Sequence, residues 1–297
     1  PYSVRNAMPT KGGPNVKNAW GVTISFPEGM PGPFPVHDEE HIVCKDITHW
    51  RDYVKAPNVK FSAEEWAPFV AEAEKIDRDE YFVAPFVAPG IFEQCHYLLE
   101  IQNCLIQFYE EPEYMHELID YITDWELAYA EEICKYLKPN ALFHHDDWGS
   151  KTSLFMQPDI WRQFFKEHYR RIYGYMHDHG VLVMHHADSF LEPIVEDMAE
   201  IGVDVWQGVL PENDILKLQK QLDGRMTLMG GIDATIDRED APEEEIRADV
   251  RRACSTYGPG GHFIPCMTYG LAGTIYPKTD EIIADEIEAY NRETYHI

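Results

Sequence analysis

Apolar positions along the chain fall into two kinds of segment that take turns. Short apolar runs occur at EYFVAPFVA (80–88), ALFHH (141–145), VLVMHH (181–186), VDVWQGV (203–209), RMTLMGG (225–231) and HFIPCM (262–267). Each is short and bounded by turn residues, which predicts buried β-strands. Between them lie longer amphipathic stretches. Trp161, Phe164, Phe165, Tyr169, Ile172 and Met176 form a stripe at helical spacing that opens at Gln157-Pro158-Asp159 and stops at Gly180. Met115, Leu118, Ile119, Ile122, Trp125 and Leu127 share broadly one side of a helix opened by Pro112, within a mostly helical region from Ile91 to Leu137. Ser62 with Glu65 three residues on forms a capping box at the start of a helix reaching Ile76. In the second half a helix follows every strand. The first is capped at Asp188/Ser189 and ends at Gly202, the next runs from Pro211 to Gly224, another from Pro242 to Tyr257, and the last follows Pro277.

Strands alternating with helices predict βα units on a parallel sheet, about six of them counted back to EYFVAPFVA. The architecture expected is a (β/α)8 TIM barrel in a single domain, 1–297, with the barrel over 80–297; a doubly wound sheet is the alternative. Residues 1–60, rich in Pro and Gly, read as an irregular N-terminal arm holding one strand-like segment at AWGVTISF (19–26). No GxGxxG or GxxxxGK[ST] follows a strand, which removes the dinucleotide and P-loop readings.

Charge narrows the partners. With 25 basic and 52 acidic side chains the net charge is −27, which opposes a phosphate backbone and any polyanionic substrate that lacks a local basic pocket. The apolar runs are too short to span a bilayer and the N-terminus has no signal-peptide pattern. A cytoplasmic protein with neither a membrane nor a nucleic-acid partner is expected. The six cysteines, at 44, 95, 104, 134, 254 and 266, form no CxxC and suit neither a disulfide framework nor a zinc ribbon.

Candidate chemistry gathers at strand ends, where a barrel places its active site. HHDD (144–147) and HHAD (185–188) close two of the predicted strands. Neighbours on a strand point to opposite faces, so one member of each pair should face the mouth. Asp146 and Asp147 could bind a metal, orient a substrate or donate a proton; either could equally cap the next helix. His185 and His186, with Cys266 near another strand end, make a plausible Zn²⁺ set, with His145 a further candidate. For each the competing reading is an ordinary core residue. The other strand ends bring Gln207, Gly230-Gly231 with Asp233, and Tyr269. Trp148, Trp206, Tyr269 and Phe155 either wall an apolar pocket or belong to the core.

From about residue 80 onward the text resembles the uroporphyrinogen decarboxylase superfamily. The resemblance runs through FEQCHYLLEIQNCLIQFYEEPEYMHELIDYITDWELAYAEEI, DDWGSKTSLFMQPDIWRQFFKEHYRRIYGYMHDHG, the HHAD strand, IGVDVWQGV, DGRMTLMGGID and GPGGHFIPC. NAWGVTISF and KDITHW resemble, more loosely, the N-terminal part of its methyltransferase-like branch. The resemblance implies a (β/α)8 barrel with its site in the mouth, and it offers two activities. The decarboxylases use an Arg-rich segment of the MRQAGRY type that is absent here. The other branch moves methyl groups to or from a corrinoid, and its thiol-methylating members bind zinc through an H-x-C motif and a later Cys. His185 matches the histidine of that motif, but Ala187 stands where the cysteine belongs, and Cys266 lies a few residues before the late ligand, where Thr268 or Tyr269 falls.

The expectation is therefore transfer of a methyl group from a small donor, such as a methoxylated aromatic, to the cobalt of a separate corrinoid protein. Asp146, Asp147 and His185 are the expected catalytic groups, Trp148, Gln207, Asp233 and Tyr269 the substrate contacts, and His185, His186 and Cys266 the ligands of any zinc. Two alternatives stay open: a decarboxylase of a smaller or porphyrinogen-like acid, and a non-catalytic small-molecule-binding barrel. Dimers in the family make a homodimer a further expectation.

Overall fold

The computed structural model describes residues 1–30, 32–268 and 275–296. Six strands form one parallel sheet in unbroken chain order: β4 (Phe86–Val87), β5 (Ala141–His145), β6 (Leu182–His186), β7 (Val205–Val209), β8 (Thr227–Gly231) and β9 (Phe263–Cys266). Sequential order of parallel neighbours is the arrangement of a (β/α) barrel wall; a doubly wound sheet reverses its order partway. The count matches the six units read from the sequence. Among the described residues the wall stops two strands short of eight.

Three further strands, β1 (Val16–Lys17), β2 (Thr23–Ser25) and β3 (Phe34–Pro35), make a small antiparallel sheet in the N-terminal arm. The helices are α1 (Tyr2–Arg5), α2 (Trp50–Tyr53), α3 (Ala63–Ala73), α4 (Ile91–Leu99), α5 (Ile101–Glu110), α6 (Pro112–Leu137), α7 (Pro158–Phe164), α8 (Lys166–Asp178), α9 (Val195–Glu200), α10 (Ile215–Leu222), α11 (Glu243–Tyr257) and α12 (Pro277–Tyr295). None is long and apolar enough to cross a membrane, among the described residues.

Local expectations meet the structure unevenly. Ser62 and Glu65 form the capping box of α3, and Pro112 and Pro158 each open a helix. The long stripe after Gln157 is two helices, broken at Phe165. EYFVAPFVA supplies only two paired residues. Asp188 and Ser189 do not cap a helix: the Ser189 hydroxyl donates instead to the Gly149 carbonyl at 2.8 Å, and α9 starts at Val195 after a 3-10 turn.

The two faces of the sheet differ sharply. Leu142, His144, Val183, His185, Trp206 and Leu228 point toward the helices and are buried. They join the main core with Ile119, Ile122, Phe164, Tyr169 and Tyr173 from α6, α7 and α8. Side chains on the opposite, bore-facing side are more open: Phe86 is 52% exposed, Ile264 42% and Leu182 40%. In a complete barrel this face would be filled by packed layers. Among the described residues it is left partly uncovered.

Candidate active site

Register brings the two histidine pairs side by side. His144 lies opposite His185, and His145 opposite His186, on β5 and β6. His186 then neighbours Gln207, Gln207 neighbours Met229, and Met229 neighbours Ile264. One layer of the bore therefore reads His145, His186, Gln207, Met229, Ile264. A β-bulge at Gly208 shifts the register of β7 against β8 just beyond Gln207. Only glycine suits this point: φ is +117°, and a Cβ would lie 2.3 Å from the Ala187 carbonyl oxygen.

Each imidazole in that layer is held through Nδ1. His145 Nδ1 sits 2.7 Å from Glu93 Oε2, a carboxylate from the first turn of α4. His186 Nδ1 donates to Gln207 Oε1, and Gln207 Nε2 in turn reaches Cys266 Sγ at 3.9 Å. The rings of His145 and His186 stack with centroids 4.5 Å apart. Asp147 continues on the same face, and its Oδ1 accepts from the Asp188 amide at 3.0 Å. One ligand atom each from His145, Asp147 and His186 lies within 4.8 Å of the others.

Electrostatics sort these groups into different charge states. Burial lowers the basicity of His145, but the carboxylates of Glu93, Asp147 and Asp146 outweigh it and raise its pKa to about 10. Burial and the neighbouring His145 push His186 down to about 4, so it is a neutral imidazole. Burial, with Asp147 beyond it, lifts Glu93 to about 7. Burial and Asp147 do the same for Asp188. The mouth thus holds an imidazolium, an imidazole and three carboxylates, two of which titrate near neutral pH.

The structure corrects several expected roles. Asp146 does not face the mouth. It is fully buried, and its carboxylate caps α4 by accepting from the amides of Phe92 (3.0 Å) and Glu93 (2.8 Å), with the Tyr169 hydroxyl as a third donor. His185 also faces the helices. Its ring stacks on Trp148 at 4.0 Å, and its Nδ1 meets the Tyr173 hydroxyl at 2.9 Å. That hydroxyl also reaches His144 Nδ1 at 2.7 Å, and His144 Nε2 lies 3.3 Å from the buried Glu126 carboxylate. Trp148 is core, donating to the Tyr169 hydroxyl at 3.1 Å. Asp233 caps the 3-10 turn after β8 through the Thr235 amide at 2.9 Å. Tyr269 lies outside the described residues. Asp147, His145, His186, Gln207 and Cys266 do share the bore side.

Glu93 is the residue at the candidate site that sequence reasoning missed. It sits in the first turn of α4, just after the first barrel strand, where a residue can enter a mouth, yet GIFEQC carries no motif. Asp188 was visible only as the close of HHAD; read one residue later, the H-x-C position becomes His186-x-Asp188, which strand alternation keeps on one face.

The expected zinc set of His185, His186 and Cys266 does not fit. Adjacent residues on a strand cannot both reach one ion from the same side, and His185 is sealed behind the sheet. Cys266 lies two residues beyond Ile264, opposite Gly231, and burial pushes its pKa up to about 12, so it is a neutral thiol and a weak ligand.

A parallel sheet in barrel order with its ionisable groups at the strand ends defines an enzyme-type α/β site. The family model for uroporphyrinogen decarboxylase (URO-D) matches residues 16–290. The chain belongs to the uroporphyrinogen decarboxylase family, whose members are enzymes. It is 24% identical over 292 residues to the uroporphyrinogen decarboxylase of Alkalilimnicola ehrlichii, covering 92% of this chain and 73% of that one. It is 28% identical over 279 residues to that of Thermus thermophilus, covering 88% and 71%. Among solved structures it is similar to a methyltransferase from Methanosarcina mazei, with a TM-score of 0.68, 18% identity, and coverage of 92% of this chain and 76% of that chain. At that identity the likeness speaks for the fold.

Proposed function

We propose that the protein is a methyltransferase that takes a methyl group from a small donor, such as a methoxylated aromatic, and delivers it to the cobalt of a corrinoid carried by a partner protein. The observation that carries this reading is the makeup of the mouth: Glu93, Asp147 and Asp188 surround His145 and His186. Three carboxylates repel a polycarboxylate porphyrinogen. A protonated His145 at neutral pH, oriented by Glu93, suits a reaction whose leaving group needs a proton. The partner's corrinoid would supply the nucleophile that displaces the oxygen from the methyl carbon, and the departing oxygen takes the His145 proton. Asp147 and Glu93 keep His145 protonated up to that step; once its proton has passed to the oxygen the imidazole is neutral and takes up another from solvent. The partly exposed Phe86, whose ring lies 5.6 Å from Phe143 and 6.0 Å from His145, offers an aromatic donor a wall beside the acid.

The test is methylation of cob(I)alamin, followed by the loss of its reduced spectrum, across a panel of methoxylated aromatics, methylamines and methyl thioethers. Turnover with an oxygen-bound methyl donor, lowered about 10²–10⁴-fold in His145→Gln, supports the reading. No transfer with any donor overturns it. Decarboxylation is the second reading, because the curated relatives above are decarboxylases. Release of CO₂ from a carboxylic acid without corrinoid would establish it.

A further inference from the structure

We infer that His145, Asp147 and His186 form a binding site for a divalent, zinc-type cation, with Glu93 and Gln207 as positioning residues. Three observations converge on it. The three ligand atoms lie within 4.8 Å of one another; zinc bonds of about 2.0–2.2 Å ask for separations of about 3–4 Å, so a small side-chain rotation closes the set on one ion. His145 and His186 end two adjacent strands in matched register, so the backbone ladder fixes their separation, and Asp147 follows two residues on from His145, just beyond β5. Both imidazoles have Nδ1 engaged by an oxygen acceptor, Glu93 Oε2 for His145 and Gln207 Oε1 for His186. A histidine whose Nδ1–H is donated in this way presents its Nε2 lone pair, and such outer acceptors are the usual companions of a metal-bound imidazole.

The set differs from the zinc ligands that the methyltransferase-like branch implies. It contains two nitrogens and one carboxylate oxygen, with no sulfur. The substitution of Ala187 for the expected cysteine is explained by it: Ala187 faces the helices and is fully buried, so no residue there could reach the mouth. On binding, His145 releases its proton, as a metal-bound imidazole must; two neutral imidazoles and one carboxylate then leave a divalent ion with net positive charge and a fourth position open, as in catalytic rather than structural sites. When bound, such an ion supplies Lewis acidity to an oxygen atom in the mouth. Its part in turnover rests on the methyl-transfer reading; its binding does not.

The experiment is calorimetric titration of chelator-stripped protein with Zn²⁺, and with Co²⁺ for its visible spectrum, in the absence of any methyl donor. The result expected is one ion per chain, lost in His186→Gln and Asp147→Asn and unchanged in Cys266→Ser. Glu93→Ala and Gln207→Ala should each weaken affinity about 10- to 100-fold, and Glu93→Gln, which keeps an oxygen acceptor, should recover part of that loss. The Co²⁺ form should show visible d–d bands without an intense near-ultraviolet thiolate band. Thermal melts separate loss of the site from loss of the fold. Absence of binding at micromolar ion, abolition by Cys266→Ser, or a thiolate band would each overturn the site. Intact binding without methyl transfer would leave the site standing and remove the function proposed above.

Discussion

Asp146 and Asp147 are adjacent in the chain and identical in type, yet the structure gives them opposite work, and Asp146→Ala tests the difference. Asp146 accepts from two amides in the first turn of α4 and from Tyr169. Loss of a helix N-cap costs about 1 kcal/mol. Leaving the buried Tyr169 hydroxyl and two amides short of an acceptor adds about 1–3 kcal/mol. Part of this is returned, because burial disfavours the Asp146 charge and pushes its pKa upward. A net loss of about 3 kcal/mol remains. With about 2.1 cal/mol/K of unfolding entropy per residue, a chain of 297 residues should lose about 5 °C in Tm. Asp147→Ala removes one amide contact and relieves repulsion with Asp188 and Glu93, so its Tm should stay within about 1 °C. The assay is thermal denaturation followed by circular dichroism on both variants. Equal melting of Asp146→Ala and wild type, or an equal fall in the two variants, would refute the reasoning.

Other substitutions probe separate parts of the molecule. Tyr173→Phe leaves the Nδ1 atoms of His144 and His185 without the hydroxyl that bridges them; urea denaturation should show a loss of about 2–4 kcal/mol, with zinc affinity unchanged. Gly208→Ala forces a Cβ onto the Ala187 carbonyl at a positive φ and should cost at least about 3 kcal/mol, visible as poor soluble yield or a much lowered Tm. Asp197 bonds Arg162 and Lys166; burial raises its carboxyl, but those two cations outweigh it and hold the pKa below the ordinary value. A lowered folded pKa gives stability that is present above the unfolded value and lost as pH falls through the folded one. Asp197→Asn should therefore be less stable than wild type by about 1 kcal/mol at pH 7, with the gap closing below about pH 4 in paired melts.

Much of the wall was legible because apolar runs and glycine- or proline-marked helices are local signals. β6 to β9 fall inside the runs read from the text, and the unit count agrees. The facing of each strand was not legible. HHDD and HHAD supply a histidine to both sides of each strand, so period two cannot tell His185 from His186. That choice is made by packing: Tyr173 and Trp148 claim His185, whereas Gln207 claims His186. Asp146 was lost to the mouth for a similar reason, since the α4 N-terminus that it caps lies far away in sequence. Glu93 needed the fold itself, because only the βα turn brings it beside His145.

The flanks of the wall bear on how copies of this chain meet. Among the described residues the sheet ends at β4 and β9, and a sheet edge usually invites strand-by-strand addition from another molecule. Here β4 pairs through only two residues, too few to template a long partner. At the other end, β9 contains Pro265, which has no backbone N–H to offer a neighbour. A short edge at one flank and a proline-blunted edge at the other keep the sheet from becoming a seed for polymerisation.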